Sequence, residues 1–276
     1  MFDIKLEKVA LESTDKSHYP QILEYKNTIA WMCHSVPQEE QKKRVNMLFF
    51  ENGLLDRGRT YYLDDNGYGR YSNVVLRRYN TQPCSDEEVA AINLRLEKAK
   101  WKKPEKITKD RVVMIALQSK YGEDKKMLEK CETFLPKDAK VIIREHQARR
   151  KDAQKNYGYL CERNKQWEFD FIEDAFESLH RCSALVVNTS SMMYKGLYCG
   201  IPVAACDRGF NGESAAVLDC SRNPSLLSNI FDFKFNQEAT NRLLCGIDKS
   251  SISGNAMLCD VLQNTSFGNW LRRFKW

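Results

Sequence analysis

The sequence is poor in the residues and spacings that mark the commonest metal, redox and nucleotide sites. It has four histidines and no HExxH pair, so a protein-built metal site is not expected. Its ten cysteines are scattered, with no CxxC pair. Cys182, Cys199 and Cys206 lie among apolar neighbours, where a buried thiol is the ordinary role. That usage fits a reducing cytoplasm better than a disulfide scaffold. No GxGxxG follows a strand pattern, which leaves a dinucleotide fold without support. The absence of GxxxxGK(S/T) removes P-loop phosphate binding, and the absence of GxSxG weakens a hydrolase reading. No run reaches the ~18 apolar residues of a membrane span. The N-terminal stretch MFDIKLEKVALESTDK is charged throughout and lacks an apolar core, so no signal peptide is expected.

What is present begins with charge. There are 43 basic and 37 acidic residues, a formal charge of +6 over a mixed-charge chain. That modest excess suits an anionic small molecule or a membrane surface. With no zinc-finger spacing or RNA-binding signature, nucleic acid is not an expected partner.

Taken in order, residues 1–45 are polar, with a short strand predicted near Ile29–His34. His34 ends that apolar run and reads as packing or capping ahead of catalysis. VNMLFF (45–50) is a buried-strand pattern running into Glu51–Asn52–Gly53, a junction of the kind that carries functional side chains. Arg59–Tyr62 predicts a strand that breaks into a turn at Leu63–Tyr68. Ser85 with Glu88 forms a capping box, predicting a helix to about Lys100. WKKPEKITKD (101–110) is charged and contains a proline, which marks it as a linker and a domain boundary near residue 108. Beyond it strands and helices alternate: a strand at 112–117, a polar turn at 118–124, a helix at 125–134 and a strand at 140–143. The polar run 148–168 predicts a loop, and 171–180 a helix. A strand at 184–187, a polar turn at 188–191, a helix at 192–199 and a strand at 202–205 complete the alternation. This is the rhythm of a nucleotide-binding α/β domain. Helices are expected at 223–230 and 237–245, a loop at 246–254 and a helix to about 263. The tail FGNWLRRFKW (267–276) is aromatic and basic, suited either to packing or to an anionic bilayer surface.

Four strand ends carry polar groups: Glu51, Asp124, Arg144 with His146, and Ser190 with Ser191. Open α/β sheets keep their ligands at such ends. Asn188, Thr189, Ser190 and Ser191 suit either helix capping or a turn that offers N–H groups to an anion, and both readings stand. Together the groups fit a site that grips a phosphate leaving group while carboxylates handle protons or a covalent sugar intermediate.

Five segments in this order resemble the bacterial capsule-polysaccharide biosynthesis family of Kdo (3-deoxy-D-manno-oct-2-ulosonic acid) transferases that use CMP-Kdo. They are FFENGLLDRG (49–58), YYLDDNGYG (61–69), ALQSKYGED (116–124), VIIREHQ (141–147) and LVVNTSSMMYKGLYCGIPVAACDRGF (185–210). The CMP-binding motifs are similar to those of bacterial sialyltransferases as well. The resemblance implies a GT-B-like α/β fold of two domains facing a cleft, the N-terminal one trimmed. Residues 1–108 would be the acceptor-side domain, and 109–276 the nucleotide-sugar domain with a terminal amphipathic helix.

It further implies a glycosyltransferase acting on a CMP-sugar donor, with no cofactor and no metal. His146, Ser190 and Ser191 match the residues that hold the cytidine monophosphate in the family, and Asn188 and Thr189 complete the turn on which its phosphate would dock. Arg144 matches no family position, and its charge alone would suit it to neutralise phosphate or the sugar carboxylate. Glu51 would be the acid/base and Asp124 the nucleophile of a retaining double displacement, with Glu123 a rival. Gln147 stands where the family has the proline of His-Pro, and Asn52 where it has the aspartate of Glu-Asp-Gly. The acceptor would be a glycan or lipid-linked glycan, and the setting the cytoplasmic face of the inner membrane beside other polysaccharide-assembly enzymes. Transfer of sialic acid or another nucleotide-activated sugar is one alternative. A non-catalytic glycan-binding or scaffold protein is the other.

Overall fold

Runs of β-branched and aliphatic residues alternate with amphipathic segments, and the two patterns assemble as sheet and covering helices. The structure is a computed structural model that describes residues 8–10, 27–31, 46–52, 55, 60–64, 83–118, 121–146, 152–188, 190–207, 215–249 and 251–253. By its contacts the chain forms two compact units, Met1–Gln82 with Leu244–Trp276, and Pro83–Leu243.

The first unit holds a five-stranded sheet of order β1-β2-β3-β4-β11. Strands β1 (Lys8–Ala10), β2 (Asn27–Trp31) and β3 (Asn46–Asn52) run parallel. Strands β4 (Thr60–Asp64) and β11 (Ser251–Ser253) add antiparallel. Glu51 and Asn52 lie inside β3, paired with Tyr62 and Tyr61, and not in a loop beyond it. The expected loop at 246–254 is instead the end of a helix followed by β11, which returns the chain to the N-terminal sheet. His34, the end of the Leu63–Tyr68 turn, Gln147, the helix expected near 263 and the basic tail lie outside the described residues.

The second unit opens with α1 (Asp86–Lys98), capped as predicted: the Ser85 hydroxyl accepts from Glu88 N–H and the Glu88 carboxylate from Ser85 N–H. The helix ends with Lys100 at a positive φ of 64°, and the Trp101 N–H returns to Leu96 O. That turn drives Trp101 into the interior against Phe176 and Tyr198, at ring distances of 5.6 and 5.5 Å. Residues 101–110 are therefore anchored within this unit. The units divide at 82/83 and 243/244, not at the 108/109 boundary drawn from that segment's charge and proline.

A six-stranded parallel sheet follows, of order β10-β9-β8-β5-β6-β7. Its strands are β5 (Val112–Ala116), β6 (Lys140–Arg144), β7 (Trp167–Asp170), β8 (Ala184–Val187), β9 (Val203–Ala205) and β10 (Leu218–Asp219). The helices between them are α2 (Tyr121–Phe134), α3 (Asp152–Arg163), α4 (Ala175–His180) and α5 (Met192–Tyr198). A six-residue 3-10 turn (Pro224–Asn229) and α6 (Gln237–Lys249) complete the described chain before β11.

Residues 148–168, expected to be a loop, contain α3 and the start of β7. Ala153, Tyr157 and Leu160 recur at helical spacing and are buried, while Trp167 and Phe169 pack against the same core. Helix α2 starts at Tyr121, so Glu123 and Asp124 belong to its first turn and not to the preceding loop. Val113, Ile115, Val141, Ile143 and Val186 are fully or almost fully buried, as parallel strands covered on both faces must be.

Candidate functional site

The strand order sets where a ligand belongs. The chain adds β6 and then β7 on one side of β5, crosses through α4, and adds β8, β9 and β10 on the other side. The reversal lies between β5 and β8, at whose carboxyl ends open α/β sheets form their binding crevice. The described residues there are Leu117, Gln118, Asn188, Ser190 and Ser191, with the end of β6 beside them.

Asn188 follows β8 and is buried, and Ser190 is half-buried. The Ser190 hydroxyl accepts the Met192 N–H at 3.3 Å and its carbonyl accepts the Met193 N–H at 3.0 Å, so this serine starts helix α5. Ser191 is exposed, and its hydroxyl makes no cap hydrogen bond. Ser190 thus caps the helix, while the Ser191 side chain takes no part in the capping. Thr189 is outside the described residues. Helix α5 closes at Gly200, whose φ of +77° lets Gly200 N–H reach Leu197 O and Ile201 N–H reach Gly196 O. A Cβ at Gly196 would stand 2.7 Å from Leu185 Cδ2 and 3.2 Å from Val203 Cγ2. That close approach seats the turn on β8 and β9.

Asp124 is only 2% exposed, and its Oδ1 accepts the Gln118 N–H at 2.9 Å. It fastens the turn between β5 and α2, while Glu123 beside it is exposed. Arg144 is spoken for within the fold. Its Nη1 donates to Asp170 Oδ2, to Ser178 Oγ and to Ile172 O at 2.8 Å, and its Nη2 donates to Glu173 O at 3.0 Å. Asp170 is fully buried, and Arg181 stands 3.7 Å from its other oxygen. This buried pair ties the end of β6 to the 171–174 loop and α4, so Arg144, expected to face a phosphate, has Nη1 and part of Nη2 engaged by protein acceptors. Two residues on, His146 is half-buried just past the carboxyl end of β6. Between them Glu145 Oε1 accepts the Ala153 N–H at 2.7 Å, anchoring the start of α3.

A cation the motif reading passed over is Lys195, one helical turn after Ser191. Its ammonium lies 5.4 Å from the centre of the Phe176 ring. Burial, then the like charge of Arg144, pushes its pKa below the ordinary lysine value, against the opposing pull of Asp174 and Cys199. Asp174 caps α4 by accepting from Phe176 N–H at 2.6 Å and Glu177 N–H at 3.2 Å. A lysine inside an apolar helix pattern is the only trace of this arrangement in the sequence, and the pattern does not say what it faces. Glu51 lies in β3 of the first unit, paired with Tyr62.

Among the described residues no group of three or more His, Cys, Asp or Glu could hold a metal ion, and no helix is long and apolar enough to cross a membrane. Burial pushes the thiols of Cys182, Cys199 and Cys220 up to about 12.

A doubly wound sheet with its switch point between β5 and β8, in a chain with a second, mixed sheet, defines a GT-B-like α/β fold. Two solved structures share it, both from Thermosulfurimonas dismutans. KpsC beta Kdo 2,7 transferase is similar at a TM-score of 0.51 and 12% identity, over 88% of this chain and 84% of that one. KpsC beta Kdo 2,4 transferase is similar at 0.51 and 13%, over 80% of this chain and 79% of that one. No protein-family model matches the sequence, and no curated protein matches it either.

Proposed function

We propose that this chain is a glycosyltransferase that moves a Kdo-like 3-deoxy-ulosonic acid from a CMP-activated donor to a glycan or glycolipid acceptor. The observation that carries the reading is the 188–191 turn, with its exposed Ser191, at the switch point of a fold shared with two β-Kdo transferases. The order of motifs along the chain supports it.

In this reading Asn188, Thr189, Ser190, Ser191 and His146 hold cytidine monophosphate, with Ser191 giving its hydroxyl to phosphate oxygen. A carboxylate of the 123–124 pair attacks the anomeric C2, the bond from C2 to the phosphate oxygen breaks, and CMP leaves with the electron pair. The acceptor hydroxyl then displaces that carboxylate while Glu51 takes its proton, giving retention. Glu123 has the exposure this attack needs. Asp124 has the burial and the hydrogen bond of a positioning group. CMP is a good leaving group, so the step is written without a metal.

Calorimetric titration of CMP and UMP tests the binding half. CMP is expected to bind more tightly than UMP. Ser191→Ala and His146→Ala are each expected to weaken CMP about tenfold, the loss of one hydrogen bond to a charged group. Equal affinity for CMP in native and both variant proteins sinks the assignment.

A glycan-binding chain without transfer is the second reading. The engagement of Asp124 and Arg144 by the fold's own groups favours it, as do Asn52 and Gln147 where the family has aspartate and proline. Its signature is glycan binding with no CMP release from any CMP-sugar.

A further inference from the structure

The donor in the proposed reaction carries anionic oxygens on its phosphate and on the carboxylate of its sugar, and such a site needs a cation. Arg144, the cation suggested by the motifs, has its guanidinium bonded to Asp170, Ser178, Ile172 O and Glu173 O. Lys195 is differently placed. It sits four residues after Ser191 on α5, so the two share one helix face at the carboxyl end of β8. It makes no ion pair or hydrogen bond with any described residue, and its ammonium rests over the Phe176 ring at 5.4 Å. The charged and titratable groups that reach it are Arg144 from β6, Asp174 at the start of α4, and Cys199 at the end of α5. Asp174 is also under the influence of Lys102.

We infer that Lys195 is an anion-recognition residue of this site, taking the phosphate or carboxylate oxygens of a CMP-ulosonate donor that enters over Ser191. The inference rests on the donor reading above for the ligand's name, and on the placement of Lys195 for the site. A half-buried ammonium with no anionic partner in contact is held in an environment that disfavours its charge. An incoming anion removes that penalty, so charge complementarity at this point selects ligands that bring negative oxygens and rejects neutral ones. The aromatic face of Phe176 keeps the side chain ordered without consuming its donors.

The test is calorimetric titration of the full chain and of Lys195→Met and Lys195→Arg with cytidine, CMP, CMP-Kdo and inorganic pyrophosphate. Each protein is first checked for an unchanged far-ultraviolet circular dichroism spectrum. Lys195→Met is expected to bind CMP or CMP-Kdo about tenfold more weakly and cytidine as the native chain does, with Lys195→Arg recovering most of the loss. A loss already complete with CMP places the lysine on phosphate, and a loss seen only with CMP-Kdo places it on the sugar carboxylate. Should the native chain bind no cytidine nucleotide but bind pyrophosphate in a manner lost in Lys195→Met, the donor reading fails and the anion site stands. Affinities for the nucleotides and pyrophosphate that Lys195→Met leaves unchanged overturn the inference.

Discussion

Asp124 and Lys195 show how burial decides what a charged residue does here. The Asp124 carboxylate is nearly inaccessible and accepts one backbone N–H, so its charge and its shape are separable by substitution. Asp124→Asn keeps an oxygen for Gln118 N–H. Asp124→Ala removes it and leaves that N–H in a poorly solvated turn, a cost of about 1–3 kcal/mol. If Asp124 positions the turn, denaturant titration will show the alanine variant destabilised by that amount and the asparagine variant near native in stability and turnover. Turnover abolished in a stable asparagine variant marks Asp124 as the nucleophile instead.

Lys195 is expected to lower stability near neutral pH. Its native pKa is below the unfolded value of about 10.4, so between the two the unfolded chain binds more protons and stability rises with pH. Below the native pKa the penalty is present in full. Lys195→Met should therefore be more stable than the native chain at neutral pH, and the gap should shrink as pH climbs through the alkaline range. A constant gap across that range contradicts the assignment. None of this was legible in the sequence. The partners of Arg144 lie 26 and 34 residues downstream, and only the folded sheet brings Asp170 and Ser178 to it.

Helices and strands follow local chemistry, and they were legible wherever that chemistry was strong. The Ser85–Glu88 capping box fixed the start of α1, and unbroken aliphatic runs marked β5, β6 and β8. Helix α3 was hidden because its buried face is only Ala153, Tyr157 and Leu160, embedded among lysines, asparagine and glycine. The segment after α1 misled in the other direction. Its charges are solvated, but Trp101 is turned inward by Lys100 in the left-handed region. A side chain there costs about 1 kcal/mol that glycine does not incur. Lys100→Gly is accordingly expected to raise stability by about 1 kcal/mol, measured as a higher urea midpoint at unchanged slope. A lowered midpoint would mean that the turn does not set the entry of Trp101.

At the scale of the molecule, the alternation of strands and helices from Val112 to Ala205 made the α/β class readable. The polar residues 188–191 follow β8, beside the point where the strand order reverses. The grouping of residues into units was not readable. Strand β11 rejoins the N-terminal sheet by pairing with β4, a contact across nearly 190 residues that no local pattern announces. The candidate site was legible as a set of loops, and its division of labour was not: Ser190 caps, Ser191 is open, Asp124 and Arg144 hold the framework.

Transfer of an ulosonic acid from a CMP donor is tested most directly by CMP release with mass detection of the product. The full chain would be incubated with CMP-Kdo, CMP-sialic acid, UDP-sugars and GDP-sugars in the presence of a Kdo-terminated glycan acceptor. CMP release with CMP-Kdo and an acceptor heavier by one Kdo residue are expected. No CMP release from either CMP-sugar, or turnover confined to the UDP- or GDP-sugars, would contradict it.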